Sequence, residues 1–110
     1  MKQYQVRMTV QAEENILEYA EYIMTKLLNP QAAVKFVEDM RLAVKSLSFM
    51  PQRNPLVDEE PWRKMGIYKM VVRGYIIYYW VDNEMETVHV TGVVYGKRNQ
   101  EEQLTAMDFE

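Results

Sequence analysis

The side chains able to do chemistry in this sequence of 110 residues are chiefly cations. Lys69, Arg73, Lys97 and Arg98 fall in a basic middle stretch, residues 61–98, which holds six Lys/Arg against three acids. Such a cluster can hold or neutralise a negative group. Both flanks are acidic, and the net charge of −3 argues weakly against nucleic acid as a general partner. Other chemistries lack their parts. With no Cys there are no disulfides and no zinc–thiolate sites. The single His, His89, cannot build a His-rich metal site, and no loop spaces its acids as a hard cation needs. The glycines at 66, 74, 92 and 96 are too scattered for a phosphate-cradling loop. Ser46 and Ser48 sit at a helix end without a positioned base. The expectation is a site without metal or cofactor.

The elements that must carry those cations can be read from hydrophobic period. The length suits a single domain, residues 1–110. With 48% apolar and 26% charged residues, the chain has the balance of a soluble globular protein. The N-terminal MKQYQVRMTV has no apolar stretch long enough for a signal peptide or membrane span, so the chain is read as cytoplasmic, with no membrane partner. Residues 3–8 alternate, with Tyr4, Val6 and Met8 apolar, as a half-wet strand does. Thr9 suits a helix N-cap. Ala12, Ile16, Tyr19, Ala20, Ile23 and Leu27 then give one helical stripe. Asn29-Pro30 ends this helix and starts the next, whose stripe is Ala33, Val37, Met40, Val44 and Leu47. The short link requires an αα-hairpin. Prolines at 51, 55 and 61 mark 49–65 as an irregular connection. From Gly66 the period becomes two: Ile67–Val72 and Tyr75–Val81 are strands around Arg73-Gly74, and Thr87–Tyr95 is a third after a polar turn. The order is β-α-α-β-β-β, an α+β fold with a helical hairpin packed on an antiparallel sheet. Residues 99–110 read as an acidic tail, a frayed helix or a disordered end.

A two-residue turn at Arg73-Gly74 fixes a register. Val72 then faces Tyr75, Met70 faces Ile77 and Tyr68 faces Tyr79, on the side of the helices. Lys69 meets Tyr78 on the outer side. Pairing Val81 with Val88 sets Trp80 beside His89 and Tyr78 beside Thr91, and leaves Tyr95 beside Gly74. The outer face would carry Ile76, Tyr78 and Trp80 as an apolar row, read either as a docking surface or as core covered by the C-terminal segment. One corner would collect Arg73, Tyr95, Lys97 and Arg98. A bulge at Gly92 would shift the last pairs by one and flip Tyr95.

The strand end Val93-Val94-Tyr95-Gly96-Lys97-Arg98-Asn99 resembles the signature of the RelE/ParE toxin superfamily, a hydrophobic strand closed by a small residue, a base and an Arg. Tyr68–Asp82 looks like the family's central hairpin, Thr9–Ile23 like its first helix, and Pro51 stands where such chains leave the second helix. The resemblance implies the toxin of a type II toxin–antitoxin system, with an antitoxin protein as partner. RelE-like members bind the ribosome and cut mRNA; ParE-like members bind DNA gyrase and poison it without chemistry of their own. A third outcome is an antitoxin-binding module that has lost toxicity. For a nuclease, the resemblance implies that Arg98 stabilises the phosphate, Arg73 binds or polarises it and Lys69 assists proton transfer. It also implies antitoxin or target binding through Ile76, Tyr78, Trp80, Tyr95 and Lys97. The C-terminal Tyr of RelE-like members falls near Leu104 here. The resulting expectation is that Lys69, Arg73 and Arg98 converge on one positively charged side of the sheet.

Overall fold

A computed structural model describes residues 2–109, so the last residue of the acidic tail, Glu110, lies outside the described residues. The order is β1 (Gln5–Met8), α1 (Val10–Thr25), α2 (Pro30–Ser46), β2 (Tyr68–Val72), β3 (Tyr75–Asp82), β4 (Thr87–Tyr95) and α3 (Gln100–Ala106), with a 3-10 turn at Pro51–Arg53. The helix starts are those the sequence marks. Thr9 Oγ1 accepts the Ala12 N–H at 3.1 Å, and Asn29 Oδ1 accepts the Ala32 N–H at 3.1 Å with Pro30 at the first helical position. Each cap satisfies a donor that the helix itself leaves unpaired.

The four strands form one sheet in the order β1-β4-β3-β2. β2–β3 and β3–β4 are antiparallel, but β1 runs parallel to β4, so the sheet is mixed rather than antiparallel throughout. A parallel pair needs a long crossover. Here everything from α1 to β3 lies between the two strands in sequence, which brings the first strand beside the last. The β2–β3 hairpin keeps the register set by its two-residue turn, from Val72↔Tyr75 to Tyr68↔Tyr79. Arg73 and Gly74 both have positive φ, +52° and +84°. That is the backbone of a tight hairpin turn matched to strand twist.

The β3–β4 pairing holds as expected only as far as Tyr79↔Val90. The next pair is Tyr78↔Gly92, so Thr91 is an extra residue and β4 is bulged there. Beyond it the pairs become Ile77↔Val93, Ile76↔Val94 and Tyr75↔Tyr95. A one-residue insertion exchanges the faces of every later side chain. Tyr95 thereby points to the helix side instead of the outer side, and Val94 takes its place outside.

Two cores cover the two faces. On the helix side Ala12, Ile16, Phe36, Met40 and Val44 pack on Met70, Ile77, Tyr79, Val88, Val90 and Val93. On the outer side Val57 and Ile67 of the long connection, with Leu104 and Met107 of the C-terminal segment, pack on Tyr78 and Val94. Ile76, Trp80 and Phe109 flank this second core. α3 is therefore an ordered helix anchored through Leu104 and Met107 rather than a frayed or disordered end, while Glu101, Glu102 and Thr105 stay exposed. Asn99 Oδ1 caps α3 through the Glu102 N–H (3.1 Å), and the Trp80 indole N–H donates to the Phe109 carbonyl (2.8 Å).

If α3 is part of a core, Leu104→Ala should lower stability by about 2–5 kcal/mol, as buried leucine truncations do. Urea unfolding followed by circular dichroism reads the effect. An unchanged midpoint would mean that the segment does not pack as described.

Candidate functional site: a cleft at the strand-end corner

The β1 edge of β4 is paired only as far as Val90, because the chain leaves the sheet at Met8 and enters α1. The rest of that edge would expose unpaired backbone, an invitation to strand addition. Side chains of α1 and its cap close it instead. Thr9 Oγ1 donates to the Thr91 carbonyl (3.3 Å), Asn15 Oδ1 accepts the Val93 N–H (3.1 Å) and the Tyr19 hydroxyl accepts the Tyr95 N–H (2.9 Å). The fit is geometric. Residues four apart on a helix advance about 6 Å, and residues two apart on a strand advance about 6.6 Å. Asn15 and Tyr19 thus meet Val93 and Tyr95 in step.

At the end of this seam lies the corner. The Gly96 N–H donates to the Gly74 carbonyl at 2.8 Å, which draws the loop after β4 against the β2–β3 turn. A Cβ on Gly96 would stand 2.7 Å from that carbonyl oxygen, so the small residue of the strand-end motif is a steric requirement. Gln100, which sequence reasoning did not single out, ties the loop together. Its amide donates to the Arg98 carbonyl (2.7 Å), and its Oε1 accepts from the Tyr78 hydroxyl. The signal that could have found it is Asn99 as a helix N-cap ahead of the apolar Leu104 and Met107.

Between α1 and this corner opens a cleft of about 560 Å³. Tyr19, Tyr22 and Ile23 of α1 and Leu27 just beyond it line one side, with Tyr75, Val93 and Tyr95 of the sheet and Arg98 and Gln103 beyond the strand end completing the lining. Tyr75 makes an edge contact with Tyr19 (ring centroids 5.1 Å) and a tilted one with Tyr95 (5.4 Å), and Phe36 packs on it at 4.8 Å. Burial pushes the Tyr75 phenol above its ordinary pKa of 10, and the neighbouring tyrosines reinforce the shift. The cleft is thus a largely apolar and aromatic hollow with one cation, Arg98, and one carboxylate, Glu18, among its lining residues. Among the described residues no three His, Asp or Glu side chains converge as metal ligands, and no helix is long and apolar enough to cross a membrane.

The three cations expected to act together have separate surroundings. Lys69 lies in the outer-face register opposite Tyr78, with its ammonium 3.7 Å from Asp58. Asp58 also meets Arg63 at 3.8 Å. Arg73 leaves the turn toward the helices and is hydrogen-bonded to Asp39 of α2. Arg98 alone lines the cleft, and Lys97 is exposed beside it. The backbone corner forms as the sequence suggests; Lys69 and Arg73 are each held at a carboxylate, and Arg73 also acts electrostatically on Tyr75, which lines the cleft with Arg98. The apolar row is also not free. Tyr78 is buried, and Ile76 and Trp80 pack against the second core, so the covered alternative holds. His89 is stacked on Trp80, ring centroids 4.3 Å apart and nearly parallel.

The family model described as ParE toxin of type II toxin–antitoxin system, parDE, matches residues 6–100. The chain belongs to this ParE toxin family, within the RelE/ParE toxin superfamily. No curated protein sequence matches it significantly. Among solved structures it resembles the chromosomal ParDE toxin–antitoxin system from P. aeruginosa, with a TM-score of 0.70 at 15% identity, covering 86% of this chain and 98% of that one. The RelBE2 toxin–antitoxin complex from Mycobacterium tuberculosis gives 0.58 at 24% identity, over 84% and 98% of the two chains. A mutant of E. coli RelE in the free state gives 0.54 at 16% identity, over 92% of each chain. These likenesses show a shared fold.

The Arg73–Asp39 pair has a measurable signature. The Arg73 hydrogen bond holds the Asp39 carboxyl below its ordinary pKa of 3.8, with Lys35 adding to the effect. A depressed folded pKa stabilises the fold above the unfolded value and loses that contribution as pH falls through the folded one. Arg73→Ala should therefore raise the Asp39 midpoint toward 3.8 in a carboxyl NMR titration. A midpoint indifferent to the substitution would show that Arg73 does not hold Asp39.

Proposed function

We propose that this toxin is a non-enzymatic, ParE-like inhibitor that acts by docking on DNA gyrase and is neutralised by a cognate antitoxin protein. The observation that carries this reading is the carboxylate partner that Lys69 and Arg73 each hold, together with the largely apolar lining around Arg98. Cleavage at a 2′-hydroxyl needs a base, an acid and positive charge around one phosphate. In this chain Lys69 and Arg73 each face a carboxylate in different places, and Arg98 lines an apolar cleft. Leu104, near the position where RelE-like members carry a C-terminal Tyr, is buried in the second core and offers no proton. Aromatic and apolar side chains around one cation suit protein contact better than phosphate chemistry. The family match, to a ParE rather than a RelE description, points the same way.

The test is a supercoiling assay with purified gyrase beside a translation reaction that scores mRNA cleavage. The expected result is dose-dependent loss of supercoiling by the pure toxin and intact mRNA. Ribosome-dependent cleavage that disappears in Arg98→Ala, with supercoiling untouched, would overturn the proposal in favour of a nuclease.

A further inference from the structure

The outer face of the helical hairpin carries apolar side chains that the two cores leave uncovered. On α1, Asn15 and Tyr19 turn toward β4. A helix turns about 100° per residue, which sets Leu17 and Met24 on the opposite flank. On α2, Asp39 and Ser46 turn toward Arg73 and Arg53. The same rotation sets Val34 and Arg41 on the other flank, beside α1. Leu17, Met24 and Val34 are exposed and border the groove between the helices. Leu28, in the link, is 81% exposed, and its φ of +51° lies in the left-handed region where glycine usually follows a helix. A bulky side chain strains the backbone there, and its exposure leaves little within the chain to offset the strain. A strained residue of this kind points to a contact outside the chain.

Charge narrows what that contact is. α1 holds Glu13, Glu14, Glu18 and Glu21 and no Lys or Arg. α2 holds Lys35, Arg41 and Lys45 against Glu38 and Asp39, and Asp39 is engaged by Arg73. Among the described residues the α1 carboxylates, Arg41 and Lys45 have no ion-pair partner, while Lys35 meets Asp39 at 3.5 Å. One hairpin therefore presents an acidic helix beside a more basic one. That face is complementary to itself. A two-fold contact can lay α1 on the α1 of a second copy, or on its α2. The first sets like charges against each other; the second sets the glutamates against Lys35, Arg41 and Lys45. Positions along the helices agree as well. Glu14 and Arg41 stand equally far from the linked ends of α1 and α2, and Glu21 and Lys35 nearly so.

We propose that two copies of this chain pair through the outer face of the α1–α2 hairpin, α1 of each lying on α2 of the other. The two-fold axis runs along the groove, so that Leu17, Met24, Leu28 and Val34 gather beside it as the apolar centre of the contact. The glutamates of α1 and the cations of α2 form its charged margins. The flank of α1 that carries Tyr19 and Tyr22 stays outside the contact, so the strand-end cleft is left uncovered. The inference does not depend on which target the toxin has.

The experiment is sedimentation equilibrium of the full chain, freed of any partner, over a range of concentrations at low and moderate salt. The mass should rise from 13.1 kDa toward twice that value. Leu28→Gly separates contact from fold. It should weaken pairing about tenfold or more, yet leave the melting temperature of the dilute monomer no lower, because glycine suits the link. Arg41→Glu should weaken pairing about tenfold at low salt and less as salt rises. Adding Glu14→Lys to it should restore most of the lost affinity. A mass of 13.1 kDa at every concentration would overturn the proposal. So would pairing indifferent to Leu28→Gly, since the contact would then lie on another face. Pairing that Leu28→Gly weakens but Arg41→Glu does not would overturn the placement of α1 on α2.

Discussion

Thr91 has no partner across β4's neighbour, and that one extra residue decides which way every later side chain of the strand points. Before it, Val88 and Val90 face the helices. After it, Val93 faces the helices, Val94 faces the second core, and Tyr95 joins Tyr75 and Tyr19. Without the bulge, Val93 would leave the core and Tyr95 would stand outside. The bulge is also packed as a feature rather than tolerated as a defect. Thr91 is fully buried with its hydroxyl 3.3 Å from the Met107 sulfur, and the Met107 side chain lies over Gly92, where a Cβ would collide with it. Bulges of this kind commonly re-aim a side chain near a site.

From that constraint the rest of the molecule follows. The sheet is a middle layer with the helical hairpin on one face and the long connection plus α3 on the other. Its β4 edge is sealed by Thr9, Asn15 and Tyr19 of the first helix and its cap. A small protein that covers both faces of its sheet has few places left to present apolar surface. The strand-end cleft is one, and the exposed Tyr22 of α1 and Leu27 just beyond the helix line it. Binding by side chains at such a place is a different kind of action from catalysis on a phosphate, which would need Lys69 and Arg73 released from Asp58 and Asp39.

Local structure was legible in the sequence wherever a local rule governs it. Thr9 and Asn29-Pro30 mark their helix starts, and the alternation around Arg73-Gly74 fixes five pairs of β2 and β3 correctly. The parallel β1–β4 pair was not legible, since nothing within Gln3–Met8 says which distant strand will lie beside it. The position of the bulge was open for the same reason. Thr91-Gly92 can be accommodated in either register until α1 and Met107 are placed against it. The acids of 101–110 concealed a helix whose Leu104 and Met107 are its anchoring side. Arg73–Asp39 and Lys69–Asp58 join residues 34 and 11 apart in the chain, and no spacing rule connects them. The family resemblance located the corner through its backbone motif, but side-chain direction at the corner depended on long-range packing.

The most direct test of this account is the environment of the Tyr95 ring in solution. A NOESY spectrum of the isotopically labelled chain should show cross-peaks from Tyr95 to the rings of Tyr75 and Tyr19, and none to Tyr78 or Leu104. Cross-peaks from Tyr95 to that outer group instead would mean an unbulged strand and would contradict the arrangement on which the cleft depends.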